Sequence, residues 1–174
     1  MKNSQSRHLS TLRQFYQFLY AEGHRGDDPT AVVDSPRKER ALPKVLDVDR
    51  VGTMLDLAEA EARAEPKRAS AMKRLHAMVE TLYASGLRVS ELVSLPLTVV
   101  HGDRNFMMVK GKGNKERLVP LSGKAKSALL AWLHVRELDP SSTDSPYLFP
   151  ANSASGHVAR QVFARELKGL GARA

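Results

Sequence analysis

The sequence predicts a mainly α-helical protein with a small antiparallel β-sheet. Three observations lead to this fold class. Apolar residues recur at helical spacing through most of the 174-residue chain. Two short apolar stretches, 106–110 and 116–121, flank a loop with two glycines, which is typical of a hairpin. Residues 35–46 hold two prolines and no apolar periodicity, which favours a linker between two helical parts.

The first predicted helix covers residues 7–22 and ends at Gly23. Its apolar stripe consists of Leu9, Leu12, Phe15, Tyr16 and Leu19. Only six residues precede this helix, and a lone amphipathic helix cannot bury its apolar face. We therefore predict that residues 1–34 are the C-terminal remnant of a helical domain, followed by the linker 35–46 and a second domain, 47–174.

Three further helices are predicted before the hairpin. Asp47 is a candidate N-cap of the first, Pro66 separates it from the second, Ser85-Gly86 ends the second, and a short third begins near Leu87–Arg88 and ends at Pro96. The expected core positions are Val51, Met54, Leu55 and Ala58, then Met72, Leu75, Met78, Val79, Leu82 and Tyr83, then Val89 and Leu92.

Beyond the hairpin, the pattern predicts a helix over 123–138, a loop over 139–150 and a last helix over about 157–168. The loop ends in an anchored aromatic pair, Tyr147 and Phe149.

Charge points to a polyanionic partner. The formal net charge is +8, and residues 110–126 carry six basic side chains against one acidic, whereas 45–109 carry eight basic and nine acidic. The absence of cysteine excludes disulfides and thiolate metal sites. No apolar run approaches the roughly 20 residues that span a bilayer. We expect a bacterial cytoplasmic protein that needs no cofactor and does not enter a membrane.

The loop of the hairpin, Gly111-Lys112-Gly113-Asn114-Lys115, has two interpretations. A P-loop requires a longer spacing between its glycines and a Ser or Thr after its lysine, so nucleotide binding by that motif is excluded. A solvated hairpin tip and a phosphate-contacting loop both remain open on composition alone.

Arg88 follows a glycine break at a predicted helix start, where free backbone N–H groups favour an anion. A guanidinium there can grip a phosphate with two N–H groups, and Glu91 can orient it. The alternative is an ordinary surface ion pair between Arg88 and Glu91.

Four stretches together resemble the tyrosine recombinases, in particular the bacterial Xer type. Three lie in the second domain: "LYASGLRVSELVSLPL" at 82–97, "VKGKGNKERLVPLS" at 109–122 and "YLFP" at 147–150. The fourth, residues 7–46, resembles the end of that family's core-binding domain and its interdomain linker. The resemblance implies a helical core-binding remnant followed by an incomplete catalytic domain. It also implies site-specific DNA recombination, in which a tyrosine attacks the scissile phosphate, arginines stabilise the developing charge and a hairpin lysine protonates the leaving oxygen.

The resemblance implies a role for several residues of this chain. Arg88 and Lys112 would be catalytic, as the family's first arginine and its hairpin lysine, and Glu91 would support Arg88. The expected DNA-backbone contacts are Lys110, Lys115 and Arg117, with Arg7 and Arg13 on the first helix. The expected partners are a double-stranded DNA recombination site and other recombinase subunits, on the bacterial nucleoid.

The sequence also departs from the family pattern. No tyrosine follows Tyr147, where the family has its nucleophile. His157 and Arg160 spell His-x-x-Arg, but they follow the "YLFP" segment too closely for the family's second box, and we interpret them as a coincidence. We therefore expect this chain to bind DNA without cleaving it. Three alternatives stay open: a regulatory fragment that pairs with intact recombinase subunits, the product of an interrupted gene, and a generic basic RNA-binding or ribosome-associated protein.

Overall fold

A computed structural model describes residues 2–36, 45–64, 69–100, 105–111 and 115–174. The chain forms two units, residues 1–45 and 46–174, which are considered separately below. Lys112 and Pro66, and most of the predicted linker, lie outside the described residues. Within the described ranges, no helix is long and apolar enough to cross a membrane.

The first unit is built around helix α1, Lys2–Ala21. Gly23 ends it in the left-handed region, with φ +72°, as the sequence predicted. The apolar stripe is only half covered, since Leu12 and Phe15 remain 49% and 53% exposed. Thr30 is buried, and its N–H and hydroxyl both donate to the carboxylate of Asp28. These two hydrogen bonds lower the pKa of the Asp28 carboxyl.

The second unit contains six helices, a single 3-10 turn and one hairpin among its described residues. In chain order they are α2 Val48–Ala64, α3 Ala69–Ser85, α4 Val89–Val93, the 3-10 turn Leu97–Val100, β1 Phe106–Lys110, β2 Glu116–Pro120, α5 Gly123–Glu137, α6 Pro140–Thr143 and α7 Arg160–Arg173. The mainly helical class with a small antiparallel sheet is therefore confirmed. The predicted cap is also present, because the N–H of Arg50 donates to Oδ1 of Asp47 over 2.8 Å.

Helix α3 lies at the centre of this unit, packed against α2 and α5. Its middle turns, Ala77–Thr81, are buried on all sides. The largest fully buried side chains of the core include Phe149, Phe163 and Met78.

The hairpin pairs Phe106 with Pro120 and Lys110 with Glu116 in antiparallel register. This register turns Met107, Val109 and Val119 into the core and leaves the other face of both strands exposed. Lys110 and Glu116, at the strand ends nearest the loop, are exposed. The buried face packs the hairpin against the helices.

Backbone hydrogen bonds tie the "YLFP" segment to the chain that follows α4. The N–H of Leu97 donates to the carbonyl of Pro146 over 2.8 Å, and the N–H of Leu148 donates to that of Leu95 over 2.8 Å. Phe149 is fully buried and stacks on Trp132, with 6.3 Å between ring centroids. The predicted anchoring of this segment is present in Phe149, whereas Tyr147 is only half-buried.

Several local expectations were wrong. Tyr83 is 59% exposed because the last turn of α3 emerges from the core, and Val89 is 36% exposed because the short helix α4 buries only one face. Helix α6 lies inside the predicted loop, where Asp139 caps it and proline occupies its first turn. The last helix begins at residue 160 rather than about 157 and continues to 173.

Glu80 is buried inside the second unit, only 3% exposed, with His76 one turn away. Burial raises the pKa of Glu80 and lowers the pKa of His76, so both neutral forms are favoured. The nearby charged groups that also act on this pair are Asp56, Glu59, Arg63 and Lys124.

We expect the stability of Glu80→Gln to increase relative to the stability of the wild type as pH rises. The raised pKa means that the folded wild type keeps its full stability below the unfolded value and loses it as pH rises through the folded pKa. The difference in free energy of unfolding between the two proteins should therefore move in favour of Glu80→Gln from pH 4 to pH 7. Urea denaturation at the two pH values measures it, and a constant difference would contradict the assignment.

Candidate phosphate-binding site

The N-terminus of α4 carries the first candidate residue. Arg88 is the N-cap of α4, in extended backbone, and its side chain is 69% exposed. Glu91, three residues on, turns back and accepts from the Arg88 N–H over 2.9 Å and from its Nη1 over 2.9 Å. A carboxylate at this position satisfies a free N–H of the helix start and also faces the positive end of the helix. Both sequence interpretations, an oriented guanidinium and an ordinary ion pair, expected this contact, so the support of Arg88 by Glu91 stays a prediction.

A second arginine reaches the same carboxylate from the hairpin. Arg117, on β2, donates from Nη2 to Oε2 of Glu91 over 2.7 Å and from Nη1 to Oε1 over 3.2 Å. This is a two-bond guanidinium–carboxylate contact, and it joins elements 26 residues apart in sequence. The Glu91 side chain is only 9% exposed, so both arginines meet a nearly buried charge.

Glu91 is strongly acidic in this setting. Hydrogen bonds from Arg117 are the main cause, with further bonds from the backbone and side chain of Arg88, and they outweigh burial to lower the pKa of Glu91 to about 2. The same contact raises the pKa of Arg117. The carboxylate therefore stays ionised at any physiological pH and holds two cationic side chains next to each other.

Gly111 closes this arrangement at the end of β1. Its N–H donates to the carbonyl of Lys115 over 2.8 Å, which closes the base of the hairpin loop. A Cβ at Gly111 would lie 2.8 Å from Nη1 of Arg117 and 3.6 Å from Oε1 of Glu91. A side chain at this position would thus require the end of the Arg117 side chain to move away from its contact with Glu91.

A cavity of about 600 Å³ opens beside this cluster, between α4 and β1. Its lining includes Ser90, Glu91 and Ser94 from α4 and Met108 and Lys110 from β1. The other lining residues are mostly apolar, among them Leu95, Pro96, Val99 and Val109, and neither Arg88 nor Arg117 is among the lining residues. The candidate for a phosphate contact is therefore the exposed Arg88 guanidinium beside Glu91, and not the cavity itself.

The remaining predicted residues are placed as follows. Lys110 and Lys115 are exposed at the two sides of the loop, and Lys110 lies 3.5 Å from Glu116. Lys112 lies outside the described residues. Arg88, Glu91, Lys110 and Arg117 are thus brought to one end of the hairpin.

Arg7 and Arg13 belong to the first unit and are described only within it. Arg7 is exposed on α1. Arg13 donates to the carbonyl of Val33 and, over 2.9 Å, to the hydroxyl of Ser35, so its guanidinium holds the segment that follows the turn. Their contact with DNA stays a prediction.

His157 and Arg160 occupy different surroundings. His157 is half-buried, with its ring edge-to-face on Tyr147 at 4.9 Å and its Nδ1 3.0 Å from the carbonyl of Val158. Arg160 is exposed as the first residue of α7. Our interpretation of this pair as a coincidence stays a prediction.

One contact escaped the sequence prediction, the bond of Arg117 to Glu91. We expected Arg117 to face DNA, as we expected of Lys110 and Lys115. A contact between residues 26 positions apart, on a helix and a strand, leaves no periodic signal in the sequence. A glycine immediately after β1 was the available hint, because it marks a close approach at that point.

Comparison with known proteins gives a consistent assignment. The model of the phage integrase family matches residues 44–174. The tyrosine recombinase XerD of Brucella suis is 59% identical over 173 residues, covering 98% of this chain and 56% of that protein. This chain thus spans about half the length of the curated relatives that it matches.

Solved structures share the fold. XerA recombinase superposes with a TM-score of 0.61 at 22% identity, over 99% of this chain and 55% of that one. A lambda integrase tetramer bound to a Holliday junction superposes with a TM-score of 0.62 at 16% identity, over 94% of this chain and 43% of that one. Because the model of the phage integrase family covers residues 44–174, three quarters of the sequence, the chain belongs to that family.

Proposed function

We propose that this chain supplies the first-arginine and hairpin-lysine part of a site for site-specific DNA recombination. One observation carries the proposal: the exposed Arg88 guanidinium is held by the ionised Glu91 at the base of the lysine-bearing hairpin. An oriented cation of this kind stabilises charge that develops on a phosphate.

Each group has a separate part in the proposed chemistry. Arg88 binds a non-bridging oxygen of the scissile phosphate with two N–H groups, and Glu91 keeps the guanidinium in place. Lys112 donates a proton to the leaving oxygen, which is the task of a general acid at a poor leaving group. Lys110 and Lys115 hold the DNA backbone beside the loop.

The proposed partners are a double-stranded DNA recombination site and further recombinase subunits. The basic segment at residues 110–126 supports the first, and the family assignment supports both. We place the protein in the bacterial cytoplasm, on the nucleoid. We also assign residues 1–34 to the end of a core-binding domain, 35–46 to the linker and 47–174 to the first part of the catalytic domain. The RNA-binding alternative has no support from the relatives.

Arg88→Ala should weaken binding of a recombination-site duplex about tenfold at low salt, because one charge-assisted phosphate contact is lost. Fluorescence anisotropy of a labelled duplex, repeated over a series of salt concentrations, measures the affinity and the salt slope. The slope of the variant should fall by about one.

Arg50→Ala is the matched control. Arg50 is also exposed, and its nearest acid is Asp47 on its own helix, so the variant loses the same charge away from the hairpin. Equal weakening by both variants would mean that net charge alone drives binding and would contradict a phosphate site at Arg88. Equal affinity of the wild type for a double-stranded RNA of the same length would contradict the DNA assignment.

The 174-residue chain should form no covalent adduct with a nicked suicide duplex. No tyrosine follows Tyr147, and the other groups cannot replace a nucleophile. Denaturing gel electrophoresis after incubation detects any protein–DNA link. An adduct that maps to a tyrosine would show that one of the tyrosines present acts as nucleophile and would overturn this expectation.

A further inference from the structure

Arg117 differs from the other basic residues at the hairpin because its guanidinium is occupied. Both of its terminal nitrogens donate to Glu91, one to each carboxylate oxygen. Lys110 and Lys115, at the two sides of the loop, are exposed, and the ion pair of Lys110 with Glu116 is exposed as well. A phosphate that captured Arg117 would have to compete with this contact and would leave a nearly buried carboxylate with a single arginine partner.

We propose that Arg117 is a positioning residue, which together with Gly111 locks the base of the hairpin to the N-terminus of α4 through Glu91. The inference rests on the proposed function, since what it positions is the phosphate site of Arg88 against the base of the hairpin. It replaces the expectation that Arg117 contacts the DNA backbone.

Geometry at Gly111 supports this role. The guanidinium of Arg117 lies over the end of β1, where any Cβ would approach Nη1 to 2.8 Å. The same residue closes the loop through its hydrogen bond to Lys115. Gly111 therefore takes part in the loop base and leaves room for the Arg117 guanidinium, which a Cβ at this position would displace.

The consequence is a fixed spacing between Arg88 and the base of the hairpin. Arg88 and Arg117 share the oxygen Oε1 of Glu91, at 2.9 Å and 3.2 Å. The hairpin cannot shift along α4 without breaking the bonds of Arg117. Since productive geometry at a reacting phosphate tolerates little displacement, a rigid link of this kind matters for the chemistry.

Arg117→Lys and Arg117→Ala separate positioning from phosphate contact. A lysine keeps the charge and can still reach a phosphate, but it lacks the planar fork that binds both oxygens of Glu91. We therefore expect Arg117→Lys to lose the two-bond contact with Glu91, as Arg117→Ala does. In both variants the pKa of Glu91, read from its carboxyl carbon by NMR, should rise from about 2 toward the ordinary range of a glutamate.

Hydrogen exchange gives a second measurement on the free protein. The Gly111 amide should exchange about tenfold faster in both variants, because the loop base opens more often. Arg88→Ala should raise the pKa of Glu91 less than the Arg117 variants, since Arg117 is the largest cause of the low value. A lysine variant with an unchanged Glu91 pKa and unchanged Gly111 exchange would overturn the proposal.

Gly111→Ala tests the close approach independently. It should raise the pKa of Glu91 in the wild-type background but have little effect in Arg117→Ala, because no guanidinium is then left to displace. Equal effects in the two backgrounds would refute the role of Gly111. These measurements need no DNA. If the wild type failed to bind DNA, the proposed function would be overturned, but the measurements would still test the contact of Arg117 with Glu91.

Discussion

Replacing Phe149 with alanine is expected to lower the free energy of unfolding by about 3–5 kcal/mol, the largest effect of any substitution considered. The side chain is fully buried and stacks on Trp132. Its removal loses transfer free energy and leaves a cavity that surrounding helices cannot fill. Denaturant unfolding followed by the fluorescence of Trp132 measures the change, because this is the single tryptophan of the chain.

Two variants make this test specific. Phe149→Leu keeps most of the volume and should cost less than about 1.5 kcal/mol. Phe106→Ala removes the same ring from the exposed face of the hairpin, where it is 52% exposed, and should change stability by about 0.5 kcal/mol at most. A loss at Phe149 no larger than the loss at Phe106 would contradict the packing described here.

The effect should also reach the candidate site. Leu148, next to Phe149, donates to the carbonyl of Leu95 just beyond α4. Loosening this segment frees the C-terminal end of α4, and Arg88 is the N-cap of the same short helix. We therefore expect Phe149→Ala to weaken DNA binding even under conditions where the variant is still folded.

Glu91→Gln is expected to lower the free energy of unfolding by about 1–2 kcal/mol at pH 7. The amide keeps the shape of the side chain but cannot accept charge-assisted bonds from two arginines. The figure is modest because both guanidinium groups are partly exposed, and solvent screens the attraction.

The pH dependence of this difference has a definite sign. Since the pKa of Glu91 is lowered to about 2, its contribution is complete above the unfolded value and is lost as pH falls through the folded value. The wild type should therefore lose its advantage over Glu91→Gln between about pH 5 and pH 2. Unfolding curves of both proteins across this range measure the convergence.

Glu116→Gln serves as the control for this experiment. Glu116 is half-exposed and lies 3.5 Å from Lys110, so its exposed ion pair should contribute little. The difference in free energy of unfolding between Glu116→Gln and the wild type should stay within about 0.5 kcal/mol. If the difference for Glu91→Gln were equally small, the assignment of a strongly acidic carboxylate to Glu91 would be wrong.

Most of the elements could be predicted because their signals are local. The period of the apolar residues placed α2, α3 and α5, and the paired apolar stretches placed the hairpin. Capping chemistry placed the start of α2 at Asp47. The same chemistry was present at Asp139 and Pro140, where the sequence prediction assigned a loop and missed α6.

Exposure at the ends of elements was harder to predict. Tyr83 continues the apolar face of α3, but whether the last turn of a helix is covered depends on which elements surround it. Val89 begins a helix of five residues, in which one buried face accounts for most of the packing. Neither outcome follows from periodicity, which identifies a face without saying what lies against it.

The sequence alone determined the fold class, the hairpin and the pairing of Arg88 with Glu91, because each depends on residues close together in the chain. Only the tertiary structure decided what Arg117 does. Its partner lies 26 residues away on another element, and the packing of the hairpin against α4 brings the two together. A basic residue in a basic segment was expected to face DNA, but the nearly buried carboxylate of Glu91 binds it through two hydrogen bonds. Packing thus placed the guanidinium of Arg117 against Glu91, while that of Arg88 stays mostly exposed.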